Sequence, residues 1–179
     1  EVGHLNIGAG RMVEQWLLRI SRAFKGSFLK DSKEYTDFSV ATAKAKTIHV
    51  AGLYSTGGVH SHLEHMKLFI KRLSEDNTQS VVALHLISDG RDVSPTAFKT
   101  DLAELQTFLK DFPRVSIRSI CGRFYAMDRD KRWERVERAY DAIALGKGAA
   151  TKDLLEYVNN SYANGTTDEF LDPAVTSTQ

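Results

Sequence analysis

The fold of this chain is decided by residues 80–95, which read SVVALHLISDGRDVSP. The mostly apolar run over residues 81–87 predicts a short buried strand over residues 80–87, of the kind found in parallel sheets. A polar turn over residues 88–93 follows it. Ser94 then suits an N-cap and Pro95 the first position of a helix, so we predict that a helix begins there. The stretch therefore predicts a strand, a polar turn and a helix in succession.

The same order of strand, polar turn and helix occurs once before this stretch and once after it. Residues 47–53 are predicted as a strand, followed by a helix that carries Leu63 and Leu73. Residues 115–120 are predicted as a strand, followed by a charged loop and a helix that ends near Gly146. Because strands alternate with helices, the sequence predicts a three-layer α/β/α fold, with a mainly parallel sheet and right-handed crossovers.

The segments at the two ends are predicted from weaker patterns. Residues 1–10 are rich in glycine and are predicted as a loop. Apolar residues three or four apart predict an amphipathic helix over residues 11–24, which Gly26 ends. Further helices are predicted over about residues 32–44 and 151–162, the second of them followed by an irregular tail.

Composition excludes several classes of protein. The 179 residues fit one domain, with two small lobes as the alternative. The 42% hydrophobic and 26% charged fractions are typical of a globular protein with a core. The net charge of +1 gives no reason to expect a nucleic-acid or membrane binder. The single cysteine excludes an intramolecular disulfide and fits a reducing compartment. We therefore expect a cytoplasmic protein that binds neither nucleic acid nor membrane.

Side chains able to bind an anion follow each of the three predicted strands. They are His60 after the first, Arg91 and Asp92 after the second, and Arg123 and Arg129 after the third. Because the carboxyl ends of parallel strands share one edge of a sheet, all five can converge on one small ligand. Arginine presents a planar fork that matches the oxygens of phosphate or carboxylate. The pattern predicts an anion site, and solvated turns with surface salt bridges are the alternative.

Asp92 is the candidate for proton transfer. A carboxylate can exchange a proton with a hydroxyl group when its surroundings tune its pKa. The alternative is a turn aspartate before Pro95, and that reading competes strongly for Asp89. Asp128 and Asp130 are predicted to order their own loop by pairing with neighbouring arginines.

The histidines and the cysteine are weaker candidates. His60, His62 and His65 suggest zinc, but no Asp, Glu or Cys accompanies them at diagnostic spacing, so no metal site is predicted. His62 and His65 are expected at the polar start of a helix, and His60 is kept as an anion contact. His85 is predicted to be a satisfied interior residue. The Cys-x5-Arg count of a phosphatase loop fails at Cys121, which is predicted to be small and buried.

Four phrases of the sequence, in order and at matching spacing, carry a resemblance to a known family. They read EVGHLNIGAGR at residues 1–11, GGVHSH at 57–62, DGRDV at 89–93 and GRFYAMDRD at 122–130. Two shorter phrases fit further on, YA at 162–163 and TDEF at 167–170. With these phrases the chain resembles the cofactor-independent (2,3-bisphosphoglycerate-independent) phosphoglycerate mutases.

The resemblance implies a glycolytic and gluconeogenic isomerase that interconverts 3-phosphoglycerate and 2-phosphoglycerate through a phosphoserine. It implies substrate contacts at His60, Arg91, Asp92, Arg123 and Arg129, and Asp92 is similar to the residue that moves a proton at the glycerate hydroxyls. Two divalent metal ions, expected to be Mn²⁺, are implied in a phosphatase-like domain outside this chain. A monomer is expected.

The resemblance also implies an incomplete enzyme. Residues 1–10 would follow the family's nucleophilic serine, and residues 11–179 would form part of its inserted substrate-binding domain. Thr56 stands where the family has an aspartate, and an Arg-x-x-Arg pair and a lysine of the family's substrate site would lie beyond Gln179. We therefore expect a fragment that is inactive alone. A stand-alone module that binds anions or sugar phosphates is the alternative.

Overall fold

The computed structural model describes residues 2–26, 28–76 and 79–176, and in these residues five strands form one sheet. The strands are β1 (Thr47–Leu53), β2 (Val81–Ser88), β3 (Val115–Gly122), β4 (Ala149–Thr151) and β5 (Ala174–Thr176). The helices are α1 (Val2–Ala9), α2 (Trp16–Lys25), α3 (Phe28–Asp31), α4 (Lys33–Thr42), α5 (Leu63–Asp76), α6 (Phe98–Phe108), α7 (Arg123–Ala126), α8 (Trp133–Ala144) and α9 (Leu154–Ala163). Short 3-10 turns are formed by Leu109–Asp111 and Asp168–Phe170.

The sheet has the strand order β1-β2-β3-β5-β4. Its first three strands are parallel, with Thr47 opposite Val81 and Val82 opposite Val115. Strand β5 runs antiparallel to β3 and parallel to β4. The prediction of an α/β fold with a mainly parallel sheet is confirmed, and β1, β2 and β3 end at the same edge.

Helices cover both faces of this sheet. Successive residues of a strand point to opposite sides, so apolar side chains on both faces need a covering layer. Leu84 of β2 belongs to a large apolar cluster with residues of α5, α6 and α9. On the opposite face, Cys121 of β3 packs with Tyr125 of α7 and Ala139 of α8. The three-layer arrangement follows from these two clusters. Among the described residues, no helix has the length and apolar character needed to cross a membrane.

The N-terminal predictions need two corrections. Residues 1–10 were expected to form a loop, but Val2–Ala9 is helical. Glycine costs only about 1 kcal/mol in a helix, so Gly3 and Gly8 weaken this helix without forbidding it. The helix expected over residues 11–24 begins only at Trp16. Before it, the chain is held by Asn6, whose side chain accepts the backbone N–H of Val13 at 2.8 Å.

The start of α6 is also corrected. Ser94 was predicted as its N-cap, but the helix begins at Phe98. The backbone N–H of Phe98 donates to Asp168 Oδ2 at 2.9 Å, so a carboxylate 70 residues away in the chain caps this helix. The predicted irregular tail contains β5, and β4 lies just before α9. Strands of three residues are too short to show an alternating pattern.

Candidate functional site

The polar segments that follow β1, β2 and β3 lie against one another at the carboxyl edge of the sheet. We call them the first turn (residues 54–62), the second turn (residues 89–97) and the third turn (residues 123–132). The Ser55 hydroxyl donates to Asp89 Oδ2 at 2.6 Å. A Cβ placed on Gly57 would lie 3.2 Å from the Cβ of Asp92. The first and second turns are therefore in direct contact.

Asp89 is the buried acceptor that organises the second turn, with only 2% of its surface exposed. Its Oδ1 accepts the backbone N–H groups of Arg91 and Asp92, each at 3.1 Å, and Arg123 Nη1 at 2.5 Å. Burial raises the pKa of Asp89, but hydrogen bonds from Ser55, from the two amides and from Arg123 outweigh it and lower that pKa below its ordinary value. Asp89 is thus an ionised group that orients both the turn and Arg123.

Arg123 connects the third turn to the second. It is 6% exposed, and its Nη1 donates to Asp92 Oδ2 at 2.7 Å as well as to Asp89. Burial lowers the pKa of Arg123, but hydrogen bonds to Asp92 and Asp89 outweigh it and raise that pKa. The guanidinium is therefore a permanent charge that holds the Asp92 carboxylate in place.

Asp92 and His60 stand beside this guanidinium and reach the surface. His60 Nε2 lies 3.7 Å from Asp92 Oδ2, and the two side chains are 42% and 23% exposed. The structure thus brings three predicted site residues together, with an imidazole and a guanidinium both next to Oδ2 of a partly exposed carboxylate. Such a group can exchange a proton with a hydroxyl bound next to it.

The other two predicted ligands lie at the rim. The side chain of Arg91 is 47% exposed, and its Nε donates to Glu169 Oε1 at 2.7 Å. Arg129 is exposed, and its side chain makes no hydrogen bond or ion pair within the part of the chain that the structure describes. Its neighbour Asp128 accepts the backbone N–H of Arg132 at 2.8 Å, which orders the loop. The structure does not bring Arg129 into contact with the other four residues.

The family is decided by a family model, described as the BPG-independent PGAM N-terminus, that matches residues 20–179. The chain belongs to this family. The 2,3-bisphosphoglycerate-independent phosphoglycerate mutase of Helicobacter hepaticus is 46% identical over 173 residues, which are 97% of this chain and 34% of that protein. The Clostridium perfringens mutase is 43% identical over 176 residues, which are 98% of this chain and 34% of that protein.

A solved structure agrees with the sequence relatives. A phosphoglycerate mutase from Leishmania mexicana, crystallised at low cobalt concentration, superposes with a TM-score of 0.86 at 26% identity. The match covers 95% of this chain and 32% of the Leishmania chain. The present chain therefore spans about a third of the length of the phosphoglycerate mutases it matches.

The histidines form no metal centre among the residues that the structure describes. Within the described residues, no group of three or more His, Cys, Asp or Glu side chains could hold a metal ion. His62 Nδ1 accepts the backbone N–H of Glu64 at 3.2 Å, and His65 Nε2 lies 2.8 Å from Ser21 Oγ. Both lie at the start of α5, as the sequence predicts, where the His62 side chain accepts a backbone N–H of the first helical turn and the His65 side chain contacts α2.

Two interior residues of the chain behave as predicted. Cys121 is 3% exposed, and burial raises the pKa of its thiol to about 12, so it is no nucleophile. His85 lies 2.9 Å from His49 and 2.7 Å from Ser119, measured from its Nε2 and Nδ1. Burial first, then the charges of His49 and Arg118, lower the pKa of His85 to about 4. His85 is thus a neutral, hydrogen-bonded core residue.

The residues that support the site could not all be recognised from the sequence. Asp89 was read as a turn residue, although a carboxylate at the end of a buried strand must be paired, and that requirement was the available signal. Ser55, its partner, carries no signal of its own. Glu169 lies 78 residues from Arg91, so no local pattern could connect the two side chains.

Proposed function

We propose that this chain is the substrate-binding part of a phosphoglycerate mutase that interconverts 3-phosphoglycerate and 2-phosphoglycerate through a phosphoserine. Family membership supports the substrate class. The observation that carries the proposal is the connected set of Asp89, Arg123, Asp92 and His60, which joins the three turns at the carboxyl edge of the sheet. Ligands of parallel α/β sheets bind at this edge.

The cations of the site are assigned to the two negative groups of the substrate. Arg91 and Arg129 are exposed and bind its phosphate or carboxylate, and His60 donates a further hydrogen bond. Arg123 uses Nη1 for the two aspartates, and its remaining N–H groups contact the substrate beside Asp92. Each charge-assisted hydrogen bond contributes about 1.5–3 kcal/mol.

Asp92 is assigned to proton transfer at the glycerate hydroxyls. Its carboxylate is held by Arg123 at 2.7 Å and keeps 23% of its side chain exposed. Accepting the proton of one hydroxyl makes that oxygen a better nucleophile, and returning the proton completes the exchange. The Arg123 contact fixes the direction of the carboxylate during both steps.

The phosphoryl acceptor and the metal ions are assigned to the part of the mutase outside residues 1–179. Two divalent metal ions, expected to be Mn²⁺, would neutralise the charge of the transferred group there. The described residues offer no ligand set that fits such ions. In this proposal residues 1–10 follow the nucleophilic serine, residues 11–179 belong to the substrate-binding domain, and the mutase is a cytoplasmic monomer.

An enolase-coupled assay tests the proposal at two levels. The purified chain should show no mutase activity with or without added Mn²⁺, because it lacks the acceptor for the phosphoryl group. In the longer mutase, Asp92→Asn should lower turnover about 10²-fold or more while substrate binding is kept. Turnover by the isolated chain, or full turnover by the Asp92→Asn enzyme, would contradict the assignment.

A further inference from the structure

Glu169 is the half-buried partner of the exposed Arg91. Its carboxylate accepts the Nε–H of Arg91 at 2.7 Å, and the Glu169 side chain is 14% exposed against 47% for Arg91. A surface arginine loses its rotamer freedom when it binds a ligand, and that loss weakens binding. An arginine that is already held in place avoids much of this loss.

The backbone of Glu169 packs closely against Gly90 in the second turn and Gly122 at the end of β3. A Cβ on Gly90, which has φ +71°, would lie 2.7 Å from the Glu169 nitrogen. A Cβ on Gly122 would collide with the backbone carbonyl oxygen of Glu169. Both positions therefore require glycine, because any side chain would collide with this segment. The close fit fixes Glu169 directly behind the two turns that carry Arg91 and Arg123.

Asp168 stabilises the same segment through hydrogen bonds of its side chain and its backbone. It is fully buried, its Oδ2 accepts the Phe98 N–H at 2.9 Å, and its Oδ1 accepts the Tyr162 hydroxyl. Its backbone N–H donates to the Pro95 carbonyl at 2.9 Å, and its own carbonyl accepts the Ser88 hydroxyl at 2.7 Å. The backbone of Glu169 is thus attached to a buried, hydrogen-bonded support, which places the Glu169 side chain next to Arg91.

The geometry of the pair determines which face of Arg91 remains for a ligand. Glu169 takes the Nε–H, so the side of the guanidinium that contains Nε is occupied. The two Nη groups are left, and they form a fork that matches two oxygens of one carboxylate or phosphate. We propose that Glu169 is a positioning residue, which holds Arg91 so that its Nη pair faces the carboxylate or phosphate of the substrate. This inference rests on the proposed function.

The negative charge of Glu169, considered alone, predicts the opposite effect on ligand affinity from a positioning role, so the two can be distinguished by experiment. A carboxylate 2.7 Å from Arg91 also repels an anionic ligand, so removing its charge would strengthen binding if Glu169 did nothing else. If Glu169 positions Arg91, Glu169→Ala should instead weaken binding of 3-phosphoglycerate by about three- to tenfold, because Arg91 becomes mobile. Glu169→Gln keeps an oxygen that can accept the Nε–H, so its affinity should stay within about twofold of the wild type.

Two readouts on the ¹⁵N-labelled chain decide between these predictions. A titration with 3-phosphoglycerate gives the affinity, with Glu156→Ala on the exposed side of α9 as the control. The Arg91 Nε–Hε resonance, identified by its loss in Arg91→Lys, reports the guanidinium directly. In the wild type and in Glu169→Gln, its chemical shift should differ from the shifts of exposed arginines. In Glu169→Ala, its chemical shift should fall within their range.

The inference is overturned if Glu169→Ala binds 3-phosphoglycerate as tightly as the wild type or more tightly. It is also overturned if the wild-type Arg91 resonance already lies with those of the exposed arginines. A wild-type chain that fails to bind 3-phosphoglycerate contradicts the proposed function instead, and the resonance then still decides whether Glu169 holds Arg91.

Discussion

Replacing Asp89 by asparagine should cost the chain about 3 kcal/mol of its free energy of unfolding, the lower end of the cost of breaking a buried ion pair. The Asp89 and Arg123 side chains are 2% and 7% exposed, and their charged groups are 2.5 Å apart. Asparagine keeps the shape and one acceptor oxygen but removes the charge that balances Arg123. The lower end applies because Arg123 retains Asp92 at 2.7 Å.

Urea denaturation followed by far-ultraviolet circular dichroism measures this effect. Tryptophan fluorescence is the poorer probe, because Trp16 and Trp133 are 69% and 70% exposed in the folded chain. Asp130→Asn, in an exposed part of the third turn, is the matched control and should change the free energy of unfolding by less than about 0.5 kcal/mol. A loss at Asp89→Asn no larger than that of the control refutes the role of Asp89.

The pH dependence provides a second check on Asp89. Its folded pKa is lowered, so the stabilisation is present above the unfolded value of about 3.9 and is lost as pH falls through the folded pKa. The difference between wild type and Asp89→Asn should therefore be constant near neutral pH and shrink below about pH 4. A difference that persists unchanged at the lowest pH would show that charge is not its source.

Three further predictions concern the remaining roles. Arg129→Ala should weaken 3-phosphoglycerate binding about tenfold or more without changing the urea midpoint of unfolding. Arg123→Ala should lower both the affinity and the midpoint, because Arg123 also joins two turns. Equal losses of stability in the two variants would contradict these different roles. His85, with its pKa lowered to about 4, stabilises the fold above pH 6.5, and about 3 kcal/mol is lost as pH falls from 6.5 to 4. Unfolding curves of His85→Gln should lack that loss. Asp168→Asn leaves a donor of Phe98 or Tyr162 without an acceptor and should cost about 1–3 kcal/mol, and an unchanged urea midpoint would show that the cap is not needed.

The sequence predicts the central βα units well because their signals are local. The apolar runs that become β1, β2 and β3 are bounded by polar residues, and each is followed by a helix of recognisable period. Parallel pairing of these strands then places their polar turns at one edge, so the grouping of His60, Asp92 and Arg123 could be anticipated.

The failures arise where distant parts of the chain decide local structure. The start of α6 is fixed by Asp168 rather than by the local Ser94, and the short strand β5 depends on pairing with both β3 and β4. Arg91 could be selected from the sequence, but its partner Glu169 could not, because the pair depends on how the 168–170 turn crosses the sheet edge. The burial of a side chain also cannot be read from its neighbours in the sequence. Arg123 is buried and joins two turns, whereas Arg129 is exposed, although both lie in the same loop.

The central claim is that the three turns form a binding site for phosphoglycerate. Calorimetric titration of the purified chain with 3-phosphoglycerate tests it most directly. We predict saturable binding with a Kd on the order of 1 mM, weakened about tenfold or more by Arg91→Ala. The absence of saturable heat, or binding that Arg91→Ala leaves unchanged, would contradict it.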